Sequence, residues 1–83
     1  MEKPLVLQVA LDAAGRVLLD GVPVARANLS ERFRVAVRSG NRVPEMHLRA
    51  DRNTRYEQVT EIMALAQNAG IAKIAFVTEA PHA

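Results

Sequence analysis

One continuous segment, residues 43–78, carries a strand, helix and strand pattern that restricts the chain to few folds. In "VPEMHLRA", Met46, Leu48 and Ala50 alternate with polar residues, which predicts a strand with one buried and one wet face. Apolar residues then recur at helical spacing, at Tyr56, Val59, Ile62, Met63, Ala66 and Ala69. The run "KIAFVT" predicts a second, buried strand. A strand, a helix and a strand in this order predict a parallel crossover unit, right-handed by rule.

Both ends of the helix in this unit carry terminal signals. Thr54 and Glu57 have the T-x-x-E spacing of a capping box, which predicts that the helix begins at Arg55. At the other end we expect Gly70 in the left-handed conformation that follows many helices, with Ile71 making the accompanying hydrophobic contact. The loop before the helix is therefore first of all a connection between a strand and a helix.

The N-terminal third predicts an antiparallel meander. "PLVLQVAL", Pro4 to Leu11, is typical of a strand, and "DAAG" after it is a turn signal. "RVLLDGVPV" predicts a short return strand, a tight hairpin at Asp20 and Gly21, and an edge segment that Pro23 keeps out of a central ladder.

A first helix follows the meander. Leu29, Phe33, Ala36 and Val37 recur at helical spacing, which predicts a helix from about Leu29 to Arg38 with Asn28 as its N-cap. The predicted fold class is α+β: a small sheet from the meander plus the parallel βαβ unit, with two helices packed on one face. We expect a single domain with a folded core of about residues 4–79.

The charge of the chain is small overall and locally basic. Its formal net charge is +2, yet seven of its nine arginines fall between Arg32 and Arg55. This pattern has two interpretations: a site for an anionic partner, such as nucleic acid or a cell-wall polymer, or a solvated face paired with nearby acids. Those acids are Glu31, Glu45, Asp51, Glu57 and Glu61. No cysteine is present, and no apolar run approaches the roughly 20 residues that span a bilayer.

Asp51 is the one residue whose place suggests an active site, because ligands of open α/β sheets bind at the carboxyl ends of strands. Its alternative role is structural, as a carboxylate that accepts backbone N–H groups in the turn. Catalysis is disfavoured because no nucleophile and base pair is recognisable, and His47 and His82 form no metal-ligand pattern. We predict no enzymatic activity, no metal and no cofactor. An RNA-binding module of this size stays open as an alternative, although the chain lacks a GxxG loop.

The stretch "LRADRNTRYEQVTEIMALAQNAGIAKIAFVTE", Leu48 to Glu79, resembles the periplasmic domain of the ExbD/TolR family of biopolymer-transport proteins. The family pattern falls on Ala50-Asp51, Tyr56, Met63, Ala69-Gly70, Lys73 and Val77-Thr78. The N-terminal half also fits the family's hairpin and spacing. The triplet Arg49 to Asp51 is more similar to the ExbD branch than to the TolR branch. Many members carry proline before the helix-opening tyrosine, where this chain has Arg55.

The resemblance implies the periplasmic domain of an inner-membrane motor driven by the proton motive force. In such a motor a dimer of this subunit sits within an ExbB-like ring and passes work to a TonB-like partner, which energises outer-membrane transport. The TolR branch implies instead a peptidoglycan-associated module. Family members begin with a cytoplasmic segment and a transmembrane helix carrying the proton-conducting aspartate, and we expect both to lie outside this sequence.

For partner binding we predict pairing at a sheet edge near the terminal "KIAFVT" strand or the "PLVLQVAL" strand, because a short chain buries limited core and only Pro23 marks a protected edge. The candidate residues for the dimer and the TonB-like segment are Leu7, Val9, Phe76 and Val77. The candidate residues on the loop surface are Arg49, Asp51, Arg52, Arg55 and Tyr56. Nucleic acid is not an expected partner.

Overall fold

A computed structural model of the protein describes residues 5–39 and 43–78. Its elements are β1 (Val6–Leu11), β2 (Val17–Leu19), β3 (Val22–Val24), α1 (Arg26–Ser39), β4 (Glu45–Ala50), α2 (Tyr56–Asn68) and β5 (Ile74–Thr78). The strands form one sheet in the order β3-β2-β1-β4-β5. β1, β2 and β3 are antiparallel neighbours, whereas β4 is parallel to both β1 and β5. The predicted α+β fold, with its meander and its parallel β4-α2-β5 unit, is confirmed.

One face of the sheet carries the core, and the register of the two middle strands explains why. Leu7, Val9 and Leu11 of β1 lie opposite Met46, Leu48 and Ala50 of β4, so all six side chains point to the same face. Both helices cover this face. Their fully buried side chains in the same cluster are Leu29, Phe33, Ile62 and Ala66. No helix within the described residues is long and apolar enough to cross a membrane.

The hairpin between β2 and β3 has the predicted turn. Asp20 and Gly21 both have positive φ, 50° and 85°, as a two-residue type I′ turn requires. The carboxylate of Asp20 also accepts the N–H of Gln8 at 2.9 Å, while its own N–H donates to the Gln8 carbonyl at 2.7 Å. Asp20 thus extends the pairing of β1 by one row as β2 turns away.

Helix α1 begins at Arg26, three residues before the predicted start, so the assignment of Asn28 as N-cap is wrong. The Asn28 N–H donates to the Ala25 carbonyl at 2.8 Å and already belongs to the first turn. Arg26, the first residue of the helix, also makes a tertiary contact that the local pattern does not indicate, because its side chain donates to Glu61 of α2.

Helix α2 begins at Tyr56 without the predicted capping box. Arg55 occupies the N-cap position in an extended conformation, and no side chain caps the helix there. The Thr54 hydroxyl donates instead to the Leu11 carbonyl at the end of β1, 3.3 Å away. The assignment of Tyr56 to the apolar stripe is also wrong, because Tyr56, the first residue of the helix, is 79% exposed.

The C-terminal end of α2 matches the prediction. Gly70 has a φ of 108°, and its N–H donates to the Gln67 carbonyl at 3.0 Å. The Ile71 N–H donates to the Ala66 carbonyl at 3.0 Å, and the Ile71 side chain is fully buried. These two hydrogen bonds and the apolar contact define a Schellman motif.

Candidate functional site

Strand β5 is an edge strand that carries no protective residue. Among the described residues it pairs only with β4, so its outer row of backbone N–H and C=O groups lacks a strand partner there. Its sequence "IAFVT" contains no charge and no proline, the devices that usually discourage pairing at an edge. This edge is therefore suited to accept an added strand.

The opposite edge is built differently. β3 has only three residues, and Pro23 at its centre cannot donate a backbone hydrogen bond. Pro23 lies opposite Leu18 in the register, where its ring is exposed. The two edges of the sheet thus differ in length and in chemistry, and β5 is the more accommodating of the two.

Two candidate residues for partner binding lie on β5 and point to opposite faces. Phe76 is opposite Leu48 in the register and so lies on the helix-covered face, whereas Val77 is opposite Arg49 and lies on the other face. Each is 45% exposed. Phe76 and Val77 therefore place apolar side chains above and below the open backbone edge.

The other two candidates, Leu7 and Val9, are not at an edge. They lie on β1, the central strand of the sheet, and are only 8% and 2% exposed. The prediction that β1 forms a sheet edge is wrong, because β4 inserts parallel to β1 on one side while the hairpin covers the other. Leu7 and Val9 pack in the core and offer no surface to a partner.

Asp51 is a turn residue. Its carboxylate accepts the N–H of Asn53 at 2.9 Å, and its carbonyl accepts the N–H of Thr54 at 2.9 Å. Its own N–H donates to the Leu11 carbonyl at 3.0 Å. These bonds fold the chain from β4 into α2, which is the structural role that the sequence allowed.

The remaining loop-surface candidates are exposed and dispersed around this turn. Arg55 pairs loosely with Glu57, with Nη1 and Oε1 3.5 Å apart and both side chains about three-quarters exposed. Tyr56 follows it on the outer surface, and Arg52 is exposed in the turn. Arg49 is set apart from them on β4, on the face that the helices leave uncovered. The structure thus forms a basic rim at the start of α2 and no enclosed pocket among these residues.

The described part of the chain, residues 5–39 and 43–78, contains no group of three or more histidine, aspartate or glutamate side chains placed to hold a metal ion. A hydrogen bond from the Arg16 backbone N–H, aided by the Arg16 side chain, lowers the pKa of Asp12 below its ordinary value. That carboxylate holds the turn between β1 and β2, since it also accepts the Ala14 N–H.

One polar cluster was not foreseen from the sequence. The guanidinium of Arg26 donates to Glu61 at 2.8 Å, to the Gly15 carbonyl at 3.2 Å and to Gln58 at 2.5 Å. Gly15, Arg26 and Glu61 belong to three segments far apart in the sequence, and no local spacing signals their meeting. The cluster joins structural elements and contains no second group arranged for chemistry.

Comparison with known proteins yields a match to a family model. A family model described as "Biopolymer transport protein ExbD/TolR" matches residues 1–80. No curated protein matches the chain. The match confirms the resemblance seen in residues 48–79, extends it over the N-terminal meander, and includes every residue of the β5 edge.

Proposed function

The chain belongs to the ExbD/TolR family of biopolymer transport proteins, and from this premise we propose that it acts as the periplasmic domain of a proton-driven motor of the ExbB-ExbD-TonB type. Members of the family are membrane-anchored, work in complexes and are not enzymes. In the proposed role the domain dimerises and binds a segment of a TonB-like partner. The motor then energises outer-membrane transport through this partner.

The observation that carries this proposal is the open edge of β5. An extended segment that pairs with Ile74–Thr78 would satisfy the outer backbone groups of the strand and add a sixth strand to the sheet. Main-chain hydrogen bonds would supply much of the affinity. Phe76 and Val77, one on each face, would select apolar side chains at alternate positions of the bound segment.

The loop at the start of α2 is proposed as a secondary contact surface. Arg52, Arg55 and Tyr56 are exposed there, and arginine and tyrosine are enriched at protein interfaces. Asp51 contributes by holding the turn, through its bond to the Asn53 N–H. Arg49 to Asp51 also carries the similarity to the ExbD branch, which favours a TonB-like over a TolA-like partner.

The test is a titration of the isotope-labelled chain with peptides taken from a TonB-type and a TolA-type protein, followed by amide chemical shifts. We expect the TonB-type peptide to shift amides of β4 and β5, with β3 unaffected. Phe76→Lys should weaken this binding about tenfold or more, because a charge on an edge strand opposes pairing. Val22→Lys is the matched control, since Val22 is an exposed apolar residue on the opposite edge.

Two outcomes would contradict the proposal. Shifts confined to the surface around Arg52 and Arg55 would place the partner on the loop and not on β5. Binding of the TolA-type peptide, or of peptidoglycan fragments in the same titration, in preference to the TonB-type peptide would assign the domain to the TolR branch. The coding sequence upstream provides an independent check, since the motor role requires a transmembrane helix containing an aspartate there.

A further inference from the structure

The face of the sheet opposite the two helices, called the open face below, has its own pattern of side chains. Its members alternate with the core residues along each strand, so their positions follow from the register. They are Val6, Gln8 and Ala10 of β1, Leu18 of β2, Pro23 of β3, Glu45, His47 and Arg49 of β4, and Ala75 and Val77 of β5. Within the described residues, both helices pack on the other face.

The charges on the open face form a short ladder along β4. Glu45, His47 and Arg49 are spaced two residues apart, so their side chains stand about 6.6 Å from one another along the strand. His47 Nε2 lies 3.5 Å from the Glu45 carboxylate. Glu45 and Arg49 therefore occupy the two ends of the ladder with opposite charges, each two residues from His47.

The two ends of the neighbouring strand β1 differ as well, in the size of their side chains. Val6, Gln8 and Ala10 are the register partners of Glu45, His47 and Arg49, with a larger apolar residue at one end and a small one at the other. The small Ala10 lies beside two shallow depressions of about 260 and 150 Å³, both also lined by Leu18 and Arg49. The open face thus has the larger apolar side chain of Val6 at one end and a hollow beside Ala10 at the other.

We propose that the open face binds the open face of a second copy of this chain, with the two-fold axis running across the strands at His47. This axis makes the strands of the two sheets run antiparallel. Each residue then faces a residue of the same strand in the other copy, at the same distance from the axis but on its opposite side along the strand. Glu45 faces Arg49 of the other copy, and Val6 faces the hollow at Ala10. Gln8 faces Gln8, where each amide can both donate and accept a hydrogen bond.

The charge order disfavours a two-fold axis that runs parallel to the strands along β4. Such an axis would place Glu45 over Glu45 and Arg49 over Arg49, and like charges held together in an interface oppose association. Sheets that pack face to face lie about 10 Å apart with strands within about 30° of each other. The pairings therefore hold best for residues that lie close to the axis along each strand.

The area of the open face limits the affinity of the dimer. A five-stranded face with strands of this length covers on the order of 450 Å², compared with about 800 Å² per partner in a standard interface. The dimer is accordingly weak in solution, and anchoring two copies side by side in one membrane complex would raise their effective concentration. In naming the surface for dimerisation, this inference rests on the proposed function. The outer backbone groups of β5 and the Phe76 side chain, which lies on the helix-covered face, stay free for the partner segment, whereas Val77 belongs to the open face.

The test uses charge reversal on the 83-residue chain, followed by sedimentation equilibrium up to about 1 mM, the range expected for so small an interface. Glu45→Arg places arginine against Arg49 twice, and Arg49→Glu places glutamate against Glu45 twice. Each single variant should self-associate at least about tenfold more weakly than the wild type. An equimolar mixture of the two variants restores both opposite-charge pairs and should associate at least as well as the wild type, as should the double variant Glu45→Arg/Arg49→Glu.

Matched controls are Glu57→Arg and Arg55→Glu, the same reversals at exposed positions away from the open face. These should leave association unchanged, and circular dichroism should show an intact fold for all variants. A wild type that stays monomeric at about 1 mM, or single variants that associate like the wild type, would overturn the inference. So would a mixture that associates no better than its components, because that result contradicts the pairing of Glu45 with Arg49.

Failure of this inference and failure of the proposed function are distinguishable. The TonB-type peptide is titrated into the monomeric Glu45→Arg variant as well as into the wild type, with β5 amides as the readout. Loss of peptide binding in both would contradict the edge proposal alone. Retained peptide binding without any charge dependence of self-association would contradict the open-face proposal alone.

Discussion

Arg26 and Glu61 form an ion pair with 2.8 Å between Nη1 and Oε1, although 35 residues separate them. The same guanidinium donates to the Gly15 carbonyl and to the side chain of Gln58. Arg26, the first residue of α1, thereby connects the β1–β2 turn with the first half of α2. With its side chain 31% exposed, this arginine is better shielded from water than the other arginines that form ion pairs among the described residues.

Replacing Arg26 with methionine should destabilise the domain by about 1–3 kcal/mol, because a carbonyl and an amide lose a charged donor in a half-buried site. Urea denaturation gives the free energy of unfolding. Arg34→Met is the matched control, since Arg34 is 59% exposed in its side chain and pairs only loosely with Glu31 at 3.7 Å. It should change stability by less than about 0.5 kcal/mol. Equal effects of the two substitutions would contradict a joining role for Arg26.

Gly70→Val should cost more than Gly70→Ala, and both should destabilise. Space is not the reason, because a Cβ at Gly70 would meet its nearest neighbour, Val37, at an ordinary 3.7 Å. The reason is the φ of 108°, which side chains resist, with a cost of about 1–2 kcal/mol for alanine and more for a β-branched residue. Thermal or urea melts measure the difference. Wild-type stability of Gly70→Val would mean that α2 does not end in a Schellman motif.

Thr54→Ala should destabilise by about 1 kcal/mol through loss of the hydrogen bond to the Leu11 carbonyl. Because that bond ties the loop to the end of β1, amide exchange should accelerate at Asp51, whose N–H shares the same acceptor, and not in the first turn of α2. Thr60→Ala is the control, since the exposed Thr60 hydroxyl bonds only its own helix. Faster exchange confined to residues 56–58 would restore the capping role for Thr54.

The Asp12 carboxyl should titrate below its ordinary pKa of 3.8, because the ionised form accepts the Arg16 N–H and the Arg16 side chain. A lowered pKa in the folded state means that the stabilising contribution is present above the ordinary value and is lost as the pH falls through the folded value. Carbon-13 NMR of the carboxyl during acid titration measures this pKa. Asp12→Asn identifies the signal and should remove this part of the acid sensitivity, and a midpoint at or above 3.8 would refute the prediction.

Leu7→Lys should unfold the domain, whereas Phe76→Lys should leave it folded. Leu7 is 8% exposed on the central strand, where an unpaired ammonium group is strongly disfavoured, but Phe76 is 45% exposed at the edge. Circular dichroism separates the two results. A folded Leu7→Lys variant would show that the core tolerates a charge at β1 and would reopen a surface role for this strand.

Local patterns in the sequence determined much of the fold. The alternation of Met46, Leu48 and Ala50 with polar residues identified β4 and the face it buries, because side chains in a strand alternate regardless of context. Asp20 and Gly21 identified their turn, and Gly70 the end of α2, because few residues adopt positive φ at low cost. Residues 48–79 also sufficed to recognise the family that the match over residues 1–80 confirms.

Only the tertiary structure determined the order of the strands in the sheet and the residues at which the helices begin. Leu7 and Val9 look alike in sequence whether β1 lies at an edge or at the centre, and the parallel insertion of β4 beside β1 made it central. Thr54 has the spacing of a cap, but the Leu11 carbonyl, 43 residues away in sequence, competes for its hydroxyl. Both outcomes depend on contacts between segments distant in sequence, which local propensity and periodicity do not encode. The same contacts leave β5 as the unprotected edge.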